Sequence, residues 1–336
     1  MASTMTLTPY EPYSLGHSMS NKPLVSVIVC FHTPDFIDKF KESLSKSTFK
    51  DYELITMGGK GLPAEKRNNG AKLASGKYFA FFDDDVEIEP DCLVQMLDAC
   101  SYKSIDMVYG KLHKADETNR FDEAGGYMTY TGFIWSRAGQ NIIDSGQFNS
   151  TERILSGKSA SCMVKREAFE DVGGFDESFG ILGEETDLSW RLWLKGYTVW
   201  FLPWAVGIHY FNTKFKPVGK HYNSERVQFN GCRNYITMLI KCIGKEHLWI
   251  VPLHASIWFG AGIAMLITGK VRQGWNILRG IGYVLRHLRE ILEKRSEIQF
   301  TRRVSESTLW PIISRRTPRG YYSQRFLRYL SIGLHG

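Results

Sequence analysis

No two cysteines of this chain stand at C-x-x-C spacing; the six present, Cys30, Cys92, Cys100, Cys162, Cys232 and Cys242, are scattered. That scatter excludes the usual zinc sites and a disulfide framework, and it predicts a reducing, cytoplasmic setting. The first 20 residues lack a basic start followed by an apolar block, so no secretory signal is expected, and residues 1–22 read as a loose lead-in. Gly157-Lys158-Ser159 lacks the first glycine of G-x-x-x-x-G-K-[ST], which excludes a phosphate-binding P-loop.

What is present is a large apolar complement and a lopsided charge. Of 336 residues 43% are hydrophobic, enough to fill one large domain or one domain with an appendage. The net charge is +7, but from Lys270 onward 14 Lys or Arg face 4 Asp or Glu, so the basicity belongs to the C-terminal part. A localised basic segment predicts an anionic partner, either a membrane surface or nucleic acid. No recognised binding module accompanies the arginines, so nucleic acid is not expected.

Taken in order, Leu24 to Cys30 is a β-branched run bounded by Pro23 and by His32-Thr33-Pro34, the form of a strand buried on both faces. A polar helix is predicted from Asp35 to Ser47, a strand from Tyr52 to Thr56, a helix from Pro63 to Ala74, a strand from Lys77 to Phe82, a helix from Pro90 to Cys100 and a strand from Ile105 to Tyr109. Such alternation predicts an α/β fold with a mostly parallel sheet and helices on both faces. Residues 111–150 have no clear period and read as hairpins or an acceptor-facing insertion. A helix from Arg166 to Val172 follows, and Gly196 to Leu202 is a further strand, after which Pro203 leads on to His209.

Two stretches carry chemistry. The strand ending in Phe81-Phe82 runs into Asp83, Asp84 and Asp85, and a strand carries three adjacent acids only where its end opens onto water, a cation or a ligand. In parallel sheets ligands bind outside such carboxyl ends. The bland alternative is a solvated turn. Further on, a glycine-rich loop feeds a short helix whose first turn holds Glu184, Glu185 and Asp187. Ordinary helix capping accounts for acids there, though not for so many together.

The ordered set Arg67-Asn68-x-Gly70, Phe81-Phe82-Asp83-Asp84-Asp85, Gly173-Gly174-Phe175-Asp176-Glu177, Glu184-Glu185-x-Asp187-Leu188-x-x-Arg191, Gly196-Tyr197 and His209 resembles family 2 glycosyltransferases with a GT-A fold, among them bacterial or archaeal rhamnosyltransferase-like members. The resemblance covers roughly residues 23–235. It implies a nucleotide-sugar donor, met by Asp83 and Asp84 with Arg67, Cys30 and His32, and a divalent cation, Mn2+ or Mg2+, on Asp85 and His209. It implies Glu185 as catalytic base, with Glu184 a competitor, and Asp187, Trp190 and Lys220 as acceptor or loop candidates. Two departures stand out. Ile55 to Gly59 lacks the family's base-reading Asp after the second strand, and the base position is Glu rather than the commoner Asp.

Residues 236–336 read as a helical, membrane-associated region. Leu248 to Thr268 carries no formal charge over a length that permits a span. Beyond it Val271, Trp275, Leu278, Ile281, Leu285, Leu288 and Leu292 recur at helical spacing beside Arg272, Arg279 and Arg286, the profile of a helix lying in a membrane interface. A packed core helix with solvated arginines is the alternative. The expectation is therefore an inverting, metal-dependent transferase at the cytoplasmic face of the cell membrane, moving rhamnose or another hexose onto a glycan or polyprenyl-linked acceptor. Another metal-dependent phosphoryl or nucleotidyl transferase, or a non-catalytic membrane-bound glycan-binding protein of the same fold, stands as the alternative.

Overall fold

The sequence Val-Ser-Val-Ile-Val-Cys forms strand β1 (Val25–Cys30), and every residue in it is buried. It is hydrogen-bonded on both edges, in parallel to β2 (Tyr52–Met57) and to β3 (Tyr78–Asp83), and the burial of successive residues puts both its faces under other elements. The computed structural model describes residues 22–31, 36–102, 104–138, 142–211, 224–316 and 320–323.

Seven further strands complete the main sheet or a small one beside it: β4 (Val86–Ile88), β5 (Met107–Lys114), β6 (Glu117–Glu123), β7 (Gly126–Met128), β8 (Ile134–Ser136), β9 (Glu152–Arg153) and β10 (Ser161–Lys165). The last strand is β11 (Val199–His209). The sheet order is β2-β1-β3-β10-β5-β11-β4, with β6 added on β5 and β9 on β11, while β7 and β8 form a separate hairpin. By ladder length it is mostly parallel: β1–β2, β1–β3 and β5–β11 run parallel, whereas β10 and β4 are antiparallel to their neighbours.

Alternation along the strands builds a core on each face. Phe82 and Val27 pack with Phe40 of α1 (Ile37–Ser45) and Leu93 of α3 (Cys92–Ser101). Phe81 and Ile28 pack on the other side with Ala64 of α2 (Pro63–Leu73), Phe169 of α4 (Arg166–Asp171) and Leu188 of α5 (Glu184–Lys195). A Cβ at Gly70 would meet Ile28 at 2.5 Å, so glycine is what lets α2 lie against β1.

Three differences from the sequence reading have local causes. β5 continues past Tyr109 to Lys114 because β6 and β11 supply partners there. Pro203 does not divide β11; the pairing to β5 shifts register between Leu202 and Val206 and then resumes, which accommodates a residue without an N–H. The apolar stripe predicted as one helix breaks at His287 into α8 (Val271–Arg286) and α9 (Leu288–Phe300). Residues 111–150 hold hairpins, as expected.

The C-terminal helices also include α6 (Ser224–Cys242), α7 (Ile250–Ile267) and α10 (Glu306–Ile313). Helix α6 runs unbroken across position 235, and Leu239, Cys242, Leu309 and Ile313 join the core beneath α5. A third cluster of Ile236, Trp258, Ile277 and Val284 joins α6, α7 and α8. Helix α8 buries Gly274, Ile277, Gly280 and Val284, which leaves Val271, Trp275 and Leu285 exposed. Among the described residues one segment, Lys245–Ile267, is long and apolar enough to cross a membrane, and most of it lies outside the core.

Candidate active site

Asp83 is the last residue of β3, paired across to Cys30, and Asp84 and Asp85 form the turn that follows. The chain then returns as β4, antiparallel to β11, in a register that sets Val86 opposite His209. The Tyr210 N–H donates to the Asp85 carbonyl at 2.9 Å. Topology thus delivers His209 to the triplet: Nε2 lies 3.4 Å from Oδ1 of Asp85, and both residues are about nineteen-twentieths buried. One potential ligand atom from each of Asp83, Asp85 and His209 falls within 4.8 Å of the others. Two carboxylates and an imidazole, converging at a strand end, fit a divalent cation that prefers oxygen, Mg2+ through the carboxylates and Mn2+ with the imidazole as well.

The acid block reaches the same place through Arg67. Gly183, in the left-handed region at φ 87°, turns the chain so that α5 starts with Glu184 and Glu185 toward the sheet end. Arg67, on α2 and only 3% exposed, places one terminal nitrogen 2.7 Å from Asp83 and the other 3.2 Å from Glu184. Burial disfavours a charged guanidinium, but Asp83 and Glu184 more than offset this and hold Arg67 protonated. Its fork therefore joins two carboxylates, Asp83 and Glu184. Glu184 is committed to that ion pair. Glu185 beside it is pushed well above the usual carboxylate range, first by burial and then by the Glu184 charge. The hydroxyl of Tyr109 reaches the Glu185 carbonyl at 3.3 Å and Ser189 Oγ at 2.8 Å, tying the start of α5 to β5.

Two acceptor candidates are corrected. Asp187 is fully buried, bonded to Arg191 at 2.8 Å and to Lys241 of α6 at 2.7 Å, and Trp190 is fully buried in the core. Arg191 also donates to the Val172 and Gly174 carbonyls. The second half of the acid block is thus architecture, because Asp187 and Arg191, four apart, share the helix face that looks inward. Cys30 is buried, and burial pushes its thiol up to about 11, so it offers neither a thiolate nor an exposed contact. His32 and Lys220 lie outside the described residues.

One residue beside the site escaped the sequence reading. Asp122 of β6 lies 2.7 Å from Nδ1 of His209 and 2.6 Å from Nζ of Lys158. Burial alone would lower the His209 pKa, yet Asp122 and Asp85 raise it to about 9. Asp122 itself is held well below the usual range, since Lys158 and His209 outweigh its burial. The only signal in the sequence was an Asp-Glu pair just before Gly125-Gly126.

A profile of the family described as "Glycosyltransferase like family 2" matches residues 27–250. The chain belongs to this family. The glycosyltransferase domain so defined contains every site residue above, and the family is one of transferases. It is 27% identical over 222 residues, 56% of this chain, to the O-antigen biosynthesis protein RfbC of Myxococcus xanthus. It is 29% identical over 136 residues, 38% of this chain, to an N-acetylglucosaminyl-diphospho-decaprenol L-rhamnosyltransferase of Mycobacterium tuberculosis. The matches span 17% and 44% of the lengths of those relatives. In fold it resembles GalNAc-T7, solved with UDP, GalNAc and Mn2+, at a TM-score of 0.51 and 14% identity over 79% of this chain and 57% of that one. The fold is GT-A.

Proposed function

We propose that the protein is an inverting, cation-dependent glycosyltransferase that moves a hexose, rhamnose among the candidates, from a nucleotide-sugar donor to a glycan or polyprenyl-linked acceptor, in synthesis of a cell-surface glycan. The observation that carries this reading is the Arg67 bridge, which fastens the Asp83–Asp85 end of β3 to the Glu184–Glu185 start of α5. Two stretches about a hundred residues apart in sequence are thereby joined through one guanidinium. Support for the substrate class comes from the rhamnosyltransferase and RfbC relatives and from the nucleotide and Mn2+ of the structural neighbour.

The acceptor oxygen attacks the anomeric carbon as the bond to the leaving diphosphate breaks, and negative charge grows on that diphosphate. A divalent cation held by Asp85 and His209 would offset it. Asp83, held by Arg67, would accept from a ribose hydroxyl. Glu185 takes the acceptor proton; its raised pKa makes it a stronger proton acceptor than a solvated carboxylate. Glu184, paired with Arg67, acts on Glu185 only through its charge.

A site at the cytoplasmic face of the membrane suits a lipid-linked acceptor. The support is the outward row Trp249, Phe259, Ile267, Val271, Trp275 and Leu285 on and beside α7 and α8, with exposed Arg272, Arg279 and Arg286 alongside. Apolar and aromatic side chains flanked by arginine match an anionic leaflet. The test is release of nucleoside diphosphate from a panel of sugar nucleotides, with Mn2+ or Mg2+ and lipid-linked acceptors. Release that is cation-dependent and acceptor-stimulated is expected; donor binding without turnover on any acceptor, or turnover of nucleotides lacking a sugar, would overturn the reading.

A further inference from the structure

Asp122 occupies a position that ordinary strand pairing does not provide. Leu112 pairs with Glu123 and His113 with Phe121, so adjacent residues on β5 face residues two apart on β6, and Asp122 is the extra residue of a β-bulge. Bulges redirect a side chain out of the alternating pattern and are common beside active sites. Here the bulge turns the Asp122 carboxylate onto the imidazole of His209, with Oδ2 2.7 Å from Nδ1. The opposite ring nitrogen, Nε2, then lies 3.4 Å from Asp85. Lys158 fixes the carboxylate from its other side, with Nζ 2.6 Å from Oδ2 and 3.4 Å from the Asp122 carbonyl.

We propose that Asp122 is a positioning residue of the cation site: accepting from Nδ1–H of His209, it locks the ring so that Nε2 is presented beside Asp85, and it thereby sets a preference for Mn2+ over Mg2+. The inference rests on the assignment of the cation to Asp85 and His209. A carboxylate behind a ligating histidine fixes its orientation and raises its donor strength, and loss of such a partner costs 10–100-fold in metal affinity. The nitrogen ligand matters more to Mn2+ than to Mg2+, which holds to oxygen and retains its waters. An Asp122 that served only to hold β6 in place would have no reason to distinguish the two ions.

The experiment titrates the full chain with Mn2+ alone, counting free Mn2+ by its electron paramagnetic resonance signal, and obtains Mg2+ affinity by competition. D122N, nearly isosteric, is compared with D122A and H209Q, each at a temperature where circular dichroism shows it folded. For D122N and D122A the Mn2+ dissociation constant is expected to rise by about 10-fold or more, approaching that of H209Q, while Mg2+ changes by less than about 3-fold. Mn2+ affinity unchanged in D122N and D122A, or equal losses for both ions, would overturn the inference while leaving the cation assignment in place. A wild-type chain that binds neither ion would overturn the assignment and the inference together.

Discussion

In the proposed mechanism Asp85 holds the cation and Glu185 takes the acceptor proton, and each role gives a separate expectation. Asp85 stands beside His209 at the strand end, so D85N is expected to abolish cation-dependent donor binding, measured by calorimetry with and without Mn2+; binding that stays cation-dependent would remove Asp85 from the ligand set. Glu185, with a carboxyl pKa raised by burial and by Glu184, acts as a base only when ionised. As pH falls through that raised value the base is protonated and activity is lost, so the acidic limb of kcat/KM is expected above the roughly 4.3 of an ordinary glutamate. A limb at or below that value would place the base elsewhere. The triplet and the Glu-Glu pair were legible in the sequence because acids at a strand end and a helix start are unusual. Which of Glu184 and Glu185 is held by Arg67 was not legible, since it depends on the angle at which α5 leaves Gly183. Asp122 was hidden for a related reason: a bulge breaks the alternation by which a strand's facing residues are read.

At the scale of elements, α5 and α6 are joined by charge inside the core. Lys241, almost fully buried, lies 2.7 Å from Asp187 and 2.6 Å from Asp176, and those carboxylates keep it protonated against its burial. Asp176 also meets Lys294 of α9 at 2.8 Å, so the Gly-Gly-Phe-Asp-Glu turn is a fastening point for two C-terminal helices. K241M removes one partner of a buried pair and leaves Asp187 with Arg191 alone. It is expected to cost about 3–5 kcal/mol in denaturant unfolding; a loss under about 1 kcal/mol would show that the network adds little beyond packing. Strands β1, β2, β3 and β5 and the helices α1 to α4 were legible from periodicity, with ends displaced where a neighbouring strand extended the ladder, as at Lys114, whereas the short strand β4 and the strands between residues 117 and 153 were not, because they carry no clear period. The union of α6 and α10 with the transferase core was not, because an amphipathic helix advertises an apolar face without naming what covers it.

For the whole molecule, the question is how a basic C-terminal region serves a GT-A domain. Since Ile313 lies in the core and Lys294 pairs with Asp176, removing the region would disturb the fold, and point changes on the outward face are the cleaner probe. W275E with L285E is expected to leave donor hydrolysis and melting unchanged while reducing flotation with anionic vesicles by about tenfold or more, as two anchoring side chains and the local charge are lost. Unaltered flotation would set that face aside. The central claim is that one catalytic carboxylate, Glu185, acts next to a separately built donor site, and E185Q tests it most directly. With saturating donor, Mn2+ and acceptor, single-turnover transfer by E185Q is expected to fall by about 10²–10⁴-fold while its donor affinity stays within a few-fold of wild type. Wild-type transfer in E185Q, or the same loss in E184Q with E185Q active, would contradict it.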